Sequence, residues 1–216
     1  MTLTVLVADD QAMVRTGFRM ILSREHDLEV VGEAGNGVET VRLVRELRPD
    51  VALVDIRMPV MDGLRATRLL AAEGCPTRVV VITTYDDDET VAAAVEAGAH
   101  GIVLKDAQPQ FLLDAVRAAA GDGALLSPSV ALRLLRGAGS ASGRSRASRT
   151  GRHGLSEREL AVVRAVARGL TNAEIGSDLG LSLPSVKALL TSARSRIGAR
   201  NRTELAVWAW ESGLVR

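Results

Sequence analysis

Val51-Ala52-Leu53-Val54-Asp55-Ile56-Arg57-Met58-Pro59 is an apolar run of strand length that ends in one carboxylate, with a Met-Pro turn behind it. A run this uniformly apolar suits a strand buried on both faces, as in a parallel sheet. Asp55 then stands at the carboxyl end of a central strand, where open α/β sheets keep their ligand crevice. Similar runs lie on either side in sequence. Leu3–Ala8 ends in Asp9-Asp10, Val79–Ile82 ends in Thr83-Thr84, and Gly101–Leu104 ends in Lys105. These strand ends bring carboxylates, a hydroxyl and an amine to one rim.

Clustered carboxylates repel one another unless something cationic sits between them. An all-oxygen ligand set favours a hard cation such as Mg²⁺, which keeps waters and takes a substrate phosphate as well. A lysine adds a point charge for phosphate, and a carboxylate can attack phosphorus to give an aspartyl phosphate. The pattern therefore predicts that Asp55 accepts a phosphoryl group. Asp9 and Asp10 join it in holding Mg²⁺, and Thr83 and Lys105 contact the phosphoryl oxygens. An Asp after a strand is also ordinary turn chemistry; the agreement of all the strand ends, in order, weighs against that reading.

Helical spacing in Val14–Leu22, Val38–Leu47, Gly63–Ala72, Thr90–Ala97 and 109–120 alternates with strands, Leu28–Ala34 among them. Such alternation implies a doubly wound, five-stranded parallel sheet. Asp86-Asp87-Asp88-Glu89 is read as an acidic helix opening that complements the helix dipole. With Asp9, Asp10, Asp55, Met58-Pro59, Gly63, Thr83 and Lys105 in this order, residues 1–121 resemble the receiver domain of bacterial two-component response regulators. The resemblance implies a flavodoxin-like fold and phosphoryl transfer from a sensor histidine kinase to Asp55. It also implies a metal ligand in the backbone carbonyl of Arg57. Many receivers carry an aromatic switch residue three positions before the lysine; here that position is Ile102, and Tyr85 does not take its place.

The 216 residues carry a net charge of +1 that conceals a division. Residues 1–128 hold 12 Lys/Arg against 20 Asp/Glu, whereas residues 129–216 hold 15 against 6. A basic second half points to nucleic acid, although six of its arginines lie between Arg133 and Arg152. Ser127-Pro128 predicts a short helix to about Arg136. The Gly/Ala/Ser/Arg-rich stretch from Gly137 to His153 reads as a linker, so residues 122–153 separate the two units. Ser156…Glu159 and Thr171…Glu174 are capping boxes. Further helices are expected from Ser182 to Ile197 and from Thr203 to Ser212, and Leu179-Gly180-Leu181-Ser182 is the turn of a helix-turn-helix. Val186, Leu190, Ala193 and Ile197 form the apolar stripe of its second helix, leaving Lys187, Thr191, Ser192, Arg194 and Ser195 mainly outward.

Residues 154–216 are similar to the LuxR/NarL-type DNA-binding domain. Leu155-Ser156-Glu157-Arg158-Glu159, Ala167–Asn172, Glu174-Ile175, Ser185-Val186-Lys187 and Arg202-Thr203-Glu204 carry the match. The resemblance implies a small four-helix domain that reads double-stranded DNA through Ser185, Lys187, Ala188, Thr191 and Arg194, with the last helix contributing to dimerisation. Leu189 stands where the family has a polar residue, open to a thymine methyl or to a partner surface. The expectation is a phosphorylation-controlled, homodimeric transcriptional regulator. No apolar run approaches the roughly eighteen residues of a membrane span. No signal peptide is read, and the lone Cys75 fits a reducing cytoplasm. The alternatives are an atypical regulator that binds DNA independently of phosphorylation, and a metal-dependent phosphohydrolase.

Overall fold

The inner strands of the sheet are buried on both faces, and helices cover both. The computed structural model describes residues 2–84, 88–121 and 154–215. Strands β1 (Leu3–Ala8), β2 (Leu28–Ala34), β3 (Val51–Asp55), β4 (Arg78–Thr83) and β5 (Gly101–Leu104) form one parallel sheet in the order β2-β1-β3-β4-β5. Helices α1 (Ala12–Leu22), α2 (Gly37–Leu47), α3 (Gly63–Ala72), α4 (Asp88–Glu96) and α5 (Pro109–Ala120) alternate with the strands.

Because side chains alternate along a strand, each strand feeds two cores. Leu6, Ala52, Val54, Val79 and Val81 pack with Val41 and Val44 of α2, Leu70 of α3 and Val91 of α4. Val5, Val7, Val51, Leu53 and Val80 pack with Phe18 and Leu22 of α1 and with Leu112 and Val116 of α5. The predicted α/β doubly wound fold is the one observed. The boundaries moved where local chemistry outweighed apolar pattern. β4 gains Arg78, whose N–H bonds to the Asp50 carbonyl at 2.9 Å, and it runs on to include Thr83. Helix α4 starts at Asp88, two residues before the expected Thr90.

The order of strands fixes the site. β1 lies between β2 and β3, so the chain leaves β1 toward one edge and returns on its other side. The crevice at such a switch point opens over the carboxyl ends of β1 and β3.

The C-terminal unit is all-helical: α6 (Glu157–Ala167), α7 (Asn172–Leu179), α8 (Leu183–Ile197) and α9 (Arg202–Glu211). Both capping boxes are present, with Ser156 and Thr171 accepting from the N–H groups of Glu159 and Glu174. Gly180 ends α7 at φ 65°, a left-handed conformation that glycine adopts without steric cost. Val162, Val163, Ile175, Val186, Leu190, Ala193 and Leu205 make this unit's own core. The expected helix at 127–136, the linker at 137–153, and Tyr85, Asp86 and Asp87 lie outside the described residues. Among the described residues no helix is long and apolar enough to cross a membrane.

Candidate functional site

Ala8 of β1 sits opposite Val54 of β3, so the residues that follow, Asp9 and Asp55, leave the sheet side by side. Asp9 and Asp55 are 1% and 5% exposed, and Asp10 beside them is open to solvent. One carboxylate oxygen from each of Asp9, Asp10 and Asp55 lies within 4.8 Å of the others. Lys105 follows β5, held by its own N–H on the Thr83 carbonyl at 2.8 Å. Its Nζ is 2.6 Å from Asp9 Oδ2 and 3.1 Å from Asp55 Oδ2. Thr83 ends β4, adjacent to β3, and is buried. The structure thus brings Asp9, Asp10, Asp55, Thr83 and Lys105 to one rim, with Arg57 two residues beyond Asp55 on the exposed loop.

Burial pushes the Asp55 carboxyl above its ordinary range; Lys105 pulls it down, and the charges of Asp9 and Asp10 push it up again. The net rise is led by burial, which disfavours the charged carboxylate more than Lys105 favours it. Burial also opposes the Lys105 ammonium, but its bonds to Asp9 and Asp55 outweigh this and raise its pKa. The donor set is all oxygen, carboxylate-rich and partly open through Asp10, which fits a hard divalent cation.

Gly63 opens α3 directly behind Asp55. Its N–H donates to the Ile56 carbonyl at 2.8 Å. A Cβ at this position would lie 1.9 Å from the Asp55 carbonyl oxygen. Only glycine lets α3 approach so closely, and the approach fixes the backbone that carries Asp55. Arg15 was not anticipated from the sequence. It donates to the Asp9 carbonyl at 2.8 Å and pairs with Glu33 at 3.1 Å, tying the loop after β1 to the end of β2. An arginine on a helix carries no sequence mark of that contact.

On the C-terminal unit, Lys187, Ala188 and Thr191 of α8 line an open cleft of about 610 Å³ together with Ser192, Ser195 and Arg196. Ser185 is exposed at the start of α8, close to the Ser182 cap. Two residues of this helix depart from the outward reading. Arg194 is half-buried and faces a different, inner cavity. Ser192 donates to Glu159 at 2.6 Å. Leu189 is half-buried, with part of its side chain packed against the helical core. The helical stripe read from sequence was too narrow, because α6 and α9 flank α8 on both sides of it.

The two units touch through the start of α9. Arg200 donates to the Glu96 carbonyl at 2.9 Å, and Asn201 Nδ2 donates to the Gly98 and Ala99 carbonyls at 3.1 Å each. Thr203 donates to the His100 carbonyl at 2.9 Å. Val207 packs on the sheet core formed with α2, α3 and α4. Asn201 and Thr203 are almost wholly buried. The acceptors are all main-chain carbonyls, so no side-chain pattern in the first unit announces the contact.

Residues 5–117 match the family described as the response regulator receiver domain, and residues 153–209 match the bacterial regulatory proteins of the luxR family. The transcriptional regulatory protein LiaR of Bacillus subtilis is 37% identical over 216 residues, covering 98% of each chain. The crystal structure of ChrA, a response regulator of a heme-sensing two-component system, aligns over 99% of both chains with 36% identity and a TM-score of 0.55. A structure of the Salmonella typhimurium response regulator RcsB, concerned with its interaction with DNA, covers 96% of this chain at 25% identity and a TM-score of 0.60.

Proposed function

This chain belongs to the response regulators that join a receiver domain to a LuxR-type DNA-binding domain, and is a transcriptional regulator controlled by phosphorylation; on that premise we propose that Asp55 is its phosphoryl acceptor. The observation that carries the assignment is the buried Asp9–Lys105–Asp55 cluster at the carboxyl edge of β1 and β3. The donor is a sensor histidine kinase. An Asp55 oxygen attacks phosphorus, the new P–O bond forms as the P–N bond to the kinase imidazole breaks, and the ring nitrogen keeps the electron pair. The acid pocket is present. Asp9, Asp10, Asp55 and the Arg57 carbonyl would hold Mg²⁺, which supplies charge neutralisation for the phosphoryl oxygens. The receiver's own residues thus support uptake, without making the protein a turnover enzyme.

Once Asp55 carries the phosphoryl group, Lys105 and the Thr83 hydroxyl are drawn to its oxygens. Lys105 directly follows β5, the Ala99 and His100 carbonyls that hold Asn201 and Thr203 directly precede it, and the Glu96 carbonyl that holds Arg200 closes α4. A shift of this strand loosens the docking and frees the DNA-binding unit. Ser185, Lys187, Ala188 and Thr191 then meet double-stranded DNA in the major groove, and a homodimer reads paired half-sites. The working units are residues 1–121 and 154–216, joined by 122–153, in the cytoplasm. The test is DNA titration of wild type and Asp55→Asn, each with and without a phosphodonor. Wild type should bind more tightly when phosphorylated and the variant should not respond; an equal response from both would defeat the assignment.

A further inference from the structure

Helix α8 has a second, inner face. Between it and the N-terminal ends of α7 and α9 lies a small cavity of about 40 Å³, lined by Asn172, Lys187, Thr191, Arg194, Arg202 and two leucines. Among the described residues that line it, three are cationic and none is acidic. Arg202, 5% exposed, donates to Asn172 Oδ1 at 2.7 Å and to the Leu170 carbonyl. Asn172 is itself only 7% exposed. With its oxygen taken by Arg202, its Nδ2 is buried and has no hydrogen-bond partner among the described residues, and the same holds for Arg194 Nε.

Buried donors without acceptors are rare in folded proteins, and each calls for an explanation. Two of them on one cavity call for a shared acceptor. The space is large enough for one, since a single water needs only about 10–15 Å³ measured this way. A water would satisfy both donors, but its own two hydrogens would have to compete for the Thr191 hydroxyl oxygen and the Asn172 Oδ1 that already accepts from Arg202. An anion brings none, and three neighbouring cations favour it.

We propose that this cavity is a single-anion site, taking a free halide or one non-bridging oxygen of a DNA phosphate. Lys187 and Thr191 line both this cavity and the open cleft on the outer face of α8. The site therefore opens beside the surface offered to DNA, where either source can reach it. This inference rests on the helical unit alone and stands apart from the assignment of Asp55.

The first arm of the test is anomalous diffraction from bromide-soaked crystals of the full chain, wild type and Asn172→Asp. The variant keeps the oxygen that accepts from Arg202 but replaces the free donor with a repelling charge. Wild type should show a bromide peak within hydrogen-bond reach of Asn172 Nδ2 and Arg194 Nε, absent from the variant. The second arm is DNA titration of both proteins in potassium chloride and in potassium glutamate. If a DNA phosphate oxygen uses the cavity, chloride competes with it, and wild type loses several-fold more affinity in chloride than the variant does. If a free halide uses it, the two proteins respond alike while the bromide peak remains. A wild-type cavity without anomalous signal, together with equal chloride responses, would overturn the proposal in favour of a buried water.

Discussion

Replacing Gly63 with alanine tests whether the close approach of α3 holds the Asp55 backbone in place. The added Cβ would sit 1.9 Å from the Asp55 carbonyl oxygen and 2.9 Å from its carbon. Real Cβ contacts do not fall below 3.0 Å, so the β3–α3 junction must open by about 1.1 Å (from 1.9 to 3.0 Å). The atoms in the way are main chain, which no rotamer change can relieve. Forced backbone shifts of this kind cost about 3 kcal/mol, the upper part of the overpacking range. A reacting group misplaced by about 1 Å loses on the order of 100-fold in rate. Urea denaturation of full-length Gly63→Ala should show the first effect, and the rate of phosphoryl uptake from an acyl phosphate the second. Gly17→Ala is the control, because nothing lies within 4 Å of a Cβ there and the site is inside α1. It should gain roughly 1 kcal/mol from helix propensity. Gly63→Ala with wild-type stability and wild-type uptake would refute the idea that α3 positions Asp55.

Other perturbations separate other parts of the molecule. Glu159 is held at a pKa of about 2, against an ordinary 4.5, chiefly by the Ser192 hydroxyl and then by the Ser156 N–H and side chain. A depressed carboxylate contributes stability that is present above the unfolded pKa and lost as pH falls from about 4.5 toward about 2. Acid unfolding followed by circular dichroism should show this loss, and Glu159→Gln should flatten it; an unchanged acid profile would contradict the Ser192 contact. Asn201→Asp keeps the oxygen that caps α9 but sets a carboxylate against the Gly98 and Ala99 carbonyls. Small-angle scattering should report a larger radius of gyration, and a profile matching wild type would mean the docking does not depend on this residue. Val60 is 85% exposed at φ 67°, a region hostile to a β-branched residue. Val60→Asn should raise stability by roughly 1 kcal/mol in thermal unfolding; a lower melting temperature would show that the side chain is held in place by something of value.

The parts legible in the sequence were those governed by local rules. The uniform apolar runs of β1, β3 and β4 gave a parallel sheet, and Ser156…Glu159 and Thr171…Glu174 gave the helix starts residue for residue. The gathering of Asp9, Asp55 and Lys105 was legible because strand ends in such a sheet share a rim. What stayed hidden depends on which surfaces meet. Arg194 faces inward because α7 and α9 close over that side of α8. Ser192 bonds to Glu159 of α6, a contact that an isolated helical stripe does not show. The bonds from Arg200, Asn201 and Thr203 end on main-chain carbonyls, which any sequence offers equally. Gly63 was recognised by its place in a motif, but its reason, a backbone contact with Asp55, needed coordinates.

The most direct test of the phosphoryl-acceptor assignment is the intact mass of the protein after incubation with Mg²⁺ and a small acyl-phosphate donor, with Asp55→Ala alongside. A single phosphoryl adduct on wild type and none on the variant is the expected result. An adduct that persists when Asp55 is gone would place the acceptor elsewhere and contradict the reading of the Asp9–Lys105–Asp55 cluster as the switch.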